Sequence, residues 1–206
     1  PVGRLQNMLR FASLCLVAIG LCAGQTATAA QPSLKIMTYN VNFGLSGDRR
    51  TLAAIGKGNA DVIFLQETTP AWERVIRRRF RKKYSRIEFR HYRHAGGLAI
   101  LSKLPFEDGG LLQAPDTWFP AWRVVLKTAM GPVQALNVHL RPPHDGGWIK
   151  GYFTTGPIRQ REMQYYMARL DPSIPTMVIG DFNENHGKAL DMLENLGWRN
   201  ALMDHD

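Results

Sequence analysis

The chain has 206 residues, 45% hydrophobic and 21% charged, with six His and only two Cys. That composition excludes a disordered segment, a collagen-like fibre and a disulfide-stapled miniprotein, and the length fits one domain. The 26 Lys and Arg against 17 Asp and Glu leave a formal charge of +9, which suggests nucleic-acid binding and makes the location of the charge the first question.

From Met8 the sequence reads MLRFASLCLVAIGLCAGQTATAAQPS. Arg10 precedes an apolar run from Phe11 to Ala23, and small polar residues then end in Ala27-Thr28-Ala29. This is the order of the charged, apolar and cleavage regions of a secretory leader. The run is shorter than the roughly 20 residues a bilayer span needs. Leu21 stands before Cys22, where a lipoprotein signal carries a small residue. The expectation is that residues 1–30 are upstream sequence plus a cleavable leader, and that residues 31–206 form the exported domain, periplasmic or extracellular. The alternative is a buried N-terminal helix. Cys15 and Cys22 both fall in the leader, so the mature core holds together without disulfides.

The elements then alternate along the chain. Leu34–Val41 is expected as a buried strand ending in polar Asn40, Arg50–Gly56 as a short helix and Asp61–Gln66 as a second buried strand. Thr69-Pro70 suits the cap and first position of a helix whose apolar residues Trp72, Val75, Ile76 and Phe80 recur at helical spacing. On and just after this helix lie Arg74, Arg77, Arg78, Arg79, Arg81, Lys82, Lys83, Arg86, Arg90 and Arg93, opposed only by Glu73 and Glu88. This segment carries +8 and the rest of residues 31–206 carries −1. The basic run is either a solvated helix face or a phosphate-attracting patch. Strands are expected around Arg86–Tyr92 and Gly97–Ser102, and Trp122–Thr128 and Val133–Leu140 form a hairpin about Met130-Gly131-Pro132. Arg141–Gly156 lacks an apolar period and reads as a loop, Pro157–Leu170 as a helix, Pro175–Ile179 as a strand and Lys188–Leu196 as a helix stopped by Gly197. The sum is one α/β domain with a mixed sheet.

Four buried strands end in polar residues: Asn40 in TYN, Gln66-Glu67 in IFLQET, His139 in LNVHL, and Asp181 with Asn183 in VIGDFN. A shared rim is the simplest reading of that repetition. Hard oxygen donors such as Glu67, Asp181 and the Asn amides suit magnesium or manganese, and metal-assisted attack of water on a phosphate ester fits such a rim. Asn42 and Gln66 read as loop-ordering residues, and His144 and His186 as exposed loop histidines.

In this order and spacing, MTYNVN, DVIFLQET, GGLAILSKLPF, ALNVHLRPP, RQREMQ and VIGDFNEN resemble the endonuclease/exonuclease/phosphatase superfamily. The resemblance runs from Leu34 to about Leu202. It implies a four-layer α/β sandwich of two packed mixed sheets flanked by helices. Glu67 would be the principal metal carboxylate, with Asn40 its neighbour, and Asp181 would orient the nucleophilic water. Asn183 would hold a phosphate oxygen and His139 would hydrogen-bond the scissile phosphate. Arg141 and Trp148, in the segment after His139, are the substrate-binding candidates.

The family pattern also carries an Asp-His pair on a late strand. Asp204-His205 follows the Trp198 segment too closely and lacks an apolar strand before it, so the domain is expected to be incomplete at its C-terminus and this segment inactive by itself. The favoured function is an exported divalent-metal-dependent phosphodiesterase, nuclease-like and monomeric, with nucleic acid ahead of phospholipid as substrate. A sphingomyelinase-like or other lipid or inositol phosphate hydrolase, or a non-catalytic binding member, stands as the alternative.

Overall fold

The computed structural model describes residues 33–144 and 148–201, with side chains described outside 148–153. The leader-like segment, Asp204 and His205 lie outside the described residues. β1 (Ile36–Asn40), α1 (Arg49–Gly58), β2 (Val62–Gln66), α2 (Pro70–Phe80), β3 (Arg86–Arg90) and β4 (Leu98–Ser102) form the first half. β5 (Phe106–Leu112), β6 (Ala121–Thr128), β7 (Gly131–His139), α3 (Trp148–Met167), β8 (Thr176–Asp181) and α4 (Lys188–Asn195) form the second. Each half builds a four-stranded mixed sheet, ordered β1-β2-β4-β3 and β5-β6-β7-β8.

The layers follow from side-chain alternation. In β2, Val62 and Phe64 point to one face, where they meet Phe106, Trp122, Val124 and Leu126 of the second sheet. Ile63 and Leu65 point to the other face and pack under Ile55 of α1 and Trp72, Ile76 and Phe80 of α2. A strand covered on both faces is apolar at every position, which is why DVIFLQ shows no alternation. The second sheet repeats the arrangement: Leu136 and Val138 pack beneath Met163 and Tyr166 of α3 and Ala189 and Leu193 of α4. Each such side chain stabilises the fold by about 1.5–3 kcal/mol when fully buried. Two mixed sheets packed face to face with helices outside make the α/β sandwich.

Local chemistry sets the element ends. The Asp48 side chain accepts from the Thr51 N–H at 2.7 Å to start α1, and Thr69 accepts from the Trp72 N–H at 3.2 Å to start α2, with Pro70 in the first turn. Both sheets also hold a parallel pair at one edge. β1 pairs with β2 so that Asn40 sits beside Gln66, and β7 pairs with β8 so that His139 sits beside Asp181. Both pairs therefore end level with one another, and the polar strand ends collect at one end of the sandwich.

Two expectations from the sequence are corrected. Arg141–Gly156 is not a loop throughout, because α3 begins at Trp148 and runs through Pro157. Reading Pro157 as the first helical residue overlooked the tertiary anchoring of that turn: Thr155 is fully buried, and Arg159, whose Nη1 donates to its hydroxyl at 2.7 Å, also donates to the Arg141 carbonyl at 3.0 Å. The strand β5 was not expected at all. Its FEDGGLL sequence is polar and glycine-rich, and it is an edge strand whose register shifts between Asp108 and Leu111. Among the described residues no helix is long and apolar enough to cross a membrane.

Candidate active site

A cleft of about 660 Å³ opens at the strand ends, lined by Asn40, Glu67, His139, Asp181 and Asn183, with Phe43, Arg93, His94, Trp118, Phe119 and His144 among the walls. All five residues expected at the catalytic and metal positions thus share one cavity. Its floor is a hydrogen-bonded constellation spanning both sheets. Asn40 Nδ2 donates to Glu67 Oε1 and to Asp181 Oδ2, both at 2.8 Å, holding the two carboxylates within two hydrogen-bond lengths of each other. The Asn40 oxygen accepts from the Asn42 N–H at 3.0 Å, which fixes the amide with its nitrogen toward the carboxylates. Asn40 therefore acts as a clamp between two acids, a geometry not expected for it from the sequence.

Each acid is held from its other side as well. Glu67 Oε2 accepts from the Phe43 N–H at 3.1 Å, and Asp181 Oδ1 accepts from the Asn183 N–H at 2.9 Å. Asn183 Nδ2 donates to the Leu140 carbonyl at 2.9 Å, which leaves the second amide hydrogen for another acceptor. His139 Nε2 lies 3.7 Å from Glu67 Oε1 and 3.9 Å from Asp181 Oδ2. Its Nδ1 is 3.1 Å from the Ala95 carbonyl, so it carries the proton there and Nε2 faces the cleft. The ring stacks on Phe119, with centroids 4.5 Å apart. Burial holds the imidazole below its usual pKa, while the Asp181 and Glu67 charges and the Ala95 hydrogen bond pull it upward.

Backbone conformation marks the same place. Six described non-glycine residues have positive φ, and Glu67 (61°), His94 (51°) and Asn183 (53°) line the cleft while Asn42 (58°) adjoins it. Such conformations cost energy and collect where side chains must be aimed. Gly180 of VIGDFN has φ 142°, and a Cβ there would stand 2.0 Å from the Val138 carbonyl oxygen. Only glycine lets β8 approach β7 closely enough to set Asp181 beside His139.

Beneath the floor, Gln66 Nε2 donates to Asn137 Oδ1 at 2.7 Å, and Asn137 Nδ2 donates to the Leu65 carbonyl at 3.2 Å. Gln66 thus ties the sheets together under Glu67. The RQREMQ stretch has a similar task. Arg159 Nε donates to Glu184 Oε2 at 2.7 Å within the buried interior, and Glu184 Oε1 accepts from the Ala189 and Leu190 N–H groups at 2.9 and 3.0 Å. This pair anchors the loop after Asp181 to α3 and caps α4.

Of the two substrate-binding candidates, Arg141 has its guanidinium 3.6 Å over the Trp118 ring, on the wall that Trp118 contributes. Trp148 opens α3, and its side chain lies outside the described residues. His144 lines the cleft whereas His186 does not. Sequence reasoning missed Phe43, Arg93, His94, Trp118 and Phe119. Their only sequence signal was position, since Phe43 follows the TYN strand end and Arg93-His94 precede the GGLAIL strand. The resulting cleft is bipolar, with two carboxylates on the floor and imidazole, amide and guanidinium donors around them. Glu67 and Asp181 present hard oxygens with free lone pairs, and magnesium is held by one or two carboxylates completed by waters and substrate phosphates. No group of three or more acids, histidines or cysteines with metal-holding geometry occurs among the described residues. The donor set fits a hard divalent cation held by one or two carboxylates.

The family model described as "Endonuclease/Exonuclease/phosphatase family" matches residues 37–191, most of the chain and every cleft acid. The chain belongs to this family. No curated protein sequence matches it significantly. Solved structures similar to it include a truncated TDP2 from Caenorhabditis elegans, at 18% identity and TM-score 0.56, covering 74% of this chain and 63% of that one. TDP2 from D. rerio, solved with a single-strand DNA product, matches at 18% identity and TM-score 0.58, over 82% and 66%. A β-hairpin deletion mutant of beta toxin from Staphylococcus aureus matches at 17% identity and TM-score 0.57, over 82% and 74%. At these identities the likeness is one of fold. The chain spans less than two thirds of the length of the C. elegans protein. Members of this endonuclease/exonuclease/phosphatase family are phosphoric ester hydrolases.

Proposed function

We propose that this family member is a divalent-metal-dependent phosphodiesterase acting on nucleic acid. The observation that carries the reading is the joining of Glu67 and Asp181 by the Asn40 amide, opposite the Nε2 of His139, at the floor of a cleft ringed with donors. Glu67, with Asp181 beside it, would hold magnesium or manganese, which when bound neutralises charge developing on the phosphoryl oxygens. Asp181 accepts a hydrogen bond from the attacking water and aligns it. His139, anchored through Nδ1, meets a phosphate oxygen with Nε2 and donates to it in its charged form, which an incoming phosphate favours. Asn183 offers its second amide hydrogen to the same group. Arg93 supplies positive charge and His94 an imidazole on the wall, and Trp118 with Arg141 supplies a face on which a base can stack. The single-strand DNA product held by the D. rerio relative supports a nucleic-acid substrate. The leader-like segment ending at Ala29 supports export.

A lipid phosphodiester is the second reading. Phe43 and Leu45 stand side by side near the cleft at 51% and 55% exposure, as apolar residues that enter a bilayer would. Parallel assays on plasmid DNA and on sphingomyelin vesicles with magnesium separate the two. Nicking of DNA without choline-phosphate release is the expected result, and the reverse would give the lipid assignment.

A further inference from the structure

α2 spends its entire apolar stripe on the first sheet, with Trp72, Ile76 and Phe80 buried beneath it. On its opposite side and in the turn after it, Arg74, Arg78, Arg79, Arg81 and Lys82 are exposed. None of them makes an ion pair or side-chain hydrogen bond among the described residues. Nearby cations are different: Arg77 is paired with Glu73 at 2.6 Å, Arg86 with Glu88 at 3.0 Å, and Arg90 with Asp108. The acids of this region are therefore consumed by one set of cations while a second set stays unpaired.

Helix stability accounts for only part of that second set. Arg74, Arg78 and Lys82 succeed one another at four-residue intervals, where like charges repel at a cost of a few tenths of a kcal/mol per pair. The helix dipole favours cations only in the last turn, which accounts for Arg77–Arg79 and not for Arg74. The stripe runs for ~10 Å along the helix at 1.5 Å per residue, a length that meets more than one phosphate of a nucleic-acid strand. The first turn of α2 lies at the cleft end of the first sheet, and the helix leads from there along the sheet. His91 Nε2 lies 2.6 Å from Glu73 Oε2 and the Arg77 guanidinium lies over the Phe89 ring, so α2 runs beside β3. The chain leaving β3 carries Arg93 and His94 into the cleft wall. With +8 on residues 71–94 and −1 on the remainder of residues 31–206, this segment carries the net positive charge of the domain.

We propose that the exposed face of α2, from Arg74 to Lys82, is a second polyanion-binding surface that receives the phosphate backbone of a nucleic acid whose scissile bond lies in the cleft. The inference rests on the nucleic-acid reading of the cleft and extends it to a stretch of backbone beyond the reacting phosphate. Four of the five cations are arginines, whose planar forks suit phosphate oxygens. No large apolar side chain is exposed on α2 or β3, so the face lacks the wedge with which an interfacial helix enters a bilayer. A nucleic-acid backbone asks only for charge and reach.

The test is binding of a labelled oligothymidylate to the full chain in EDTA, so that cleavage plays no part, followed by fluorescence anisotropy across a salt series. The variant R78Q/R79Q/R81Q/K82Q keeps good helix formers on the surface, and its folding is checked by circular dichroism. Each phosphate contact to a single strand contributes about 0.7 to the slope of log affinity against log salt, so the variant is expected to lose about three from that slope. Its low-salt affinity should fall roughly tenfold or more. Should the quadruple variant not fold, R78Q/K82Q is expected to lose about half as much slope. An unchanged slope in the folded variant overturns the proposal. Loss of binding to phosphatidylglycerol vesicles with DNA binding intact would overturn it in favour of a membrane. If wild type binds with the expected slope and the full-length protein with magnesium never cleaves DNA, the reading of the cleft fails while the surface stands.

Discussion

Asn40 donates one amide hydrogen to each of two carboxylates belonging to different sheets, so its loss should be felt as loosened acids and not as a lost ligand. Asn40→Ala is expected to raise the magnesium concentration needed for half-maximal activity by roughly 10–100-fold, the usual cost of removing a group that orients metal-binding side chains. An activity titration against magnesium checks this. A second residue-scale expectation concerns Glu162, buried beside Arg141 with one carboxylate oxygen, Oε2, accepting from the Arg141 N–H at 2.9 Å and the other without a partner. Burial pushes its carboxyl up to about 7 from an ordinary value near 4.5. Its folded pKa is above its unfolded one, so the folded state binds the extra proton between these values. Stability therefore falls as pH rises from about 4.5 to about 7, by no more than about 3 kcal/mol. Glu162→Gln keeps the acceptor for Arg141 and removes the charge. Melting curves should show the variant several degrees more stable than wild type at pH 8 and nearly equal to it at pH 5.

At the scale of elements, the site depends on two parallel strand pairs ending level, and Gly180 is where that arrangement is tightest. Gly180→Ala would set a methyl group 2.0 Å from the Val138 carbonyl oxygen, on a backbone with φ 142°. A loss of about 3 kcal/mol or more is expected, read as a depressed melting temperature. This geometry also explains what the sequence could and could not tell. Continuous apolar runs such as VIFLQ and ALNVH declared strands buried on both faces, and their polar last residues declared a rim, so Asn40, Glu67, His139, Asp181 and Asn183 were legible. β5 was not, because its Asp-Gly-Gly bulge erases the strand pattern, and the early start of α3 was not, because Thr155 and Arg159 hold that turn through tertiary contacts. The walls of the cleft were illegible for another reason. Trp118, Phe119, Arg93 and His94 come from segments between strands, and nothing in their local sequence says that the sandwich folds them against its polar end.

At the scale of the whole molecule, the charge is divided between two regions. The cleft mixes carboxylates with cationic and amide donors and is suited to chemistry on one phosphate group. The exposed cations of α2, unpaired among the described residues, are the surface proposed to hold the anionic chain on either side of it. A helix–sheet–sheet–helix scaffold supports both because its strand ends and its outer helix face are independent surfaces on one rigid core. The central claim, that Glu67 and Asp181 support metal-dependent cleavage of a phosphodiester, is tested most directly by one measurement. DNA hydrolysis by the full-length protein and by its Glu67→Gln variant is followed as magnesium is added. The account predicts hydrolysis that requires magnesium and falls by a factor of about 100 or more in the variant, the scale on which preorganised electrostatic groups act. Hydrolysis indifferent to magnesium, or equal in the two proteins, would contradict it.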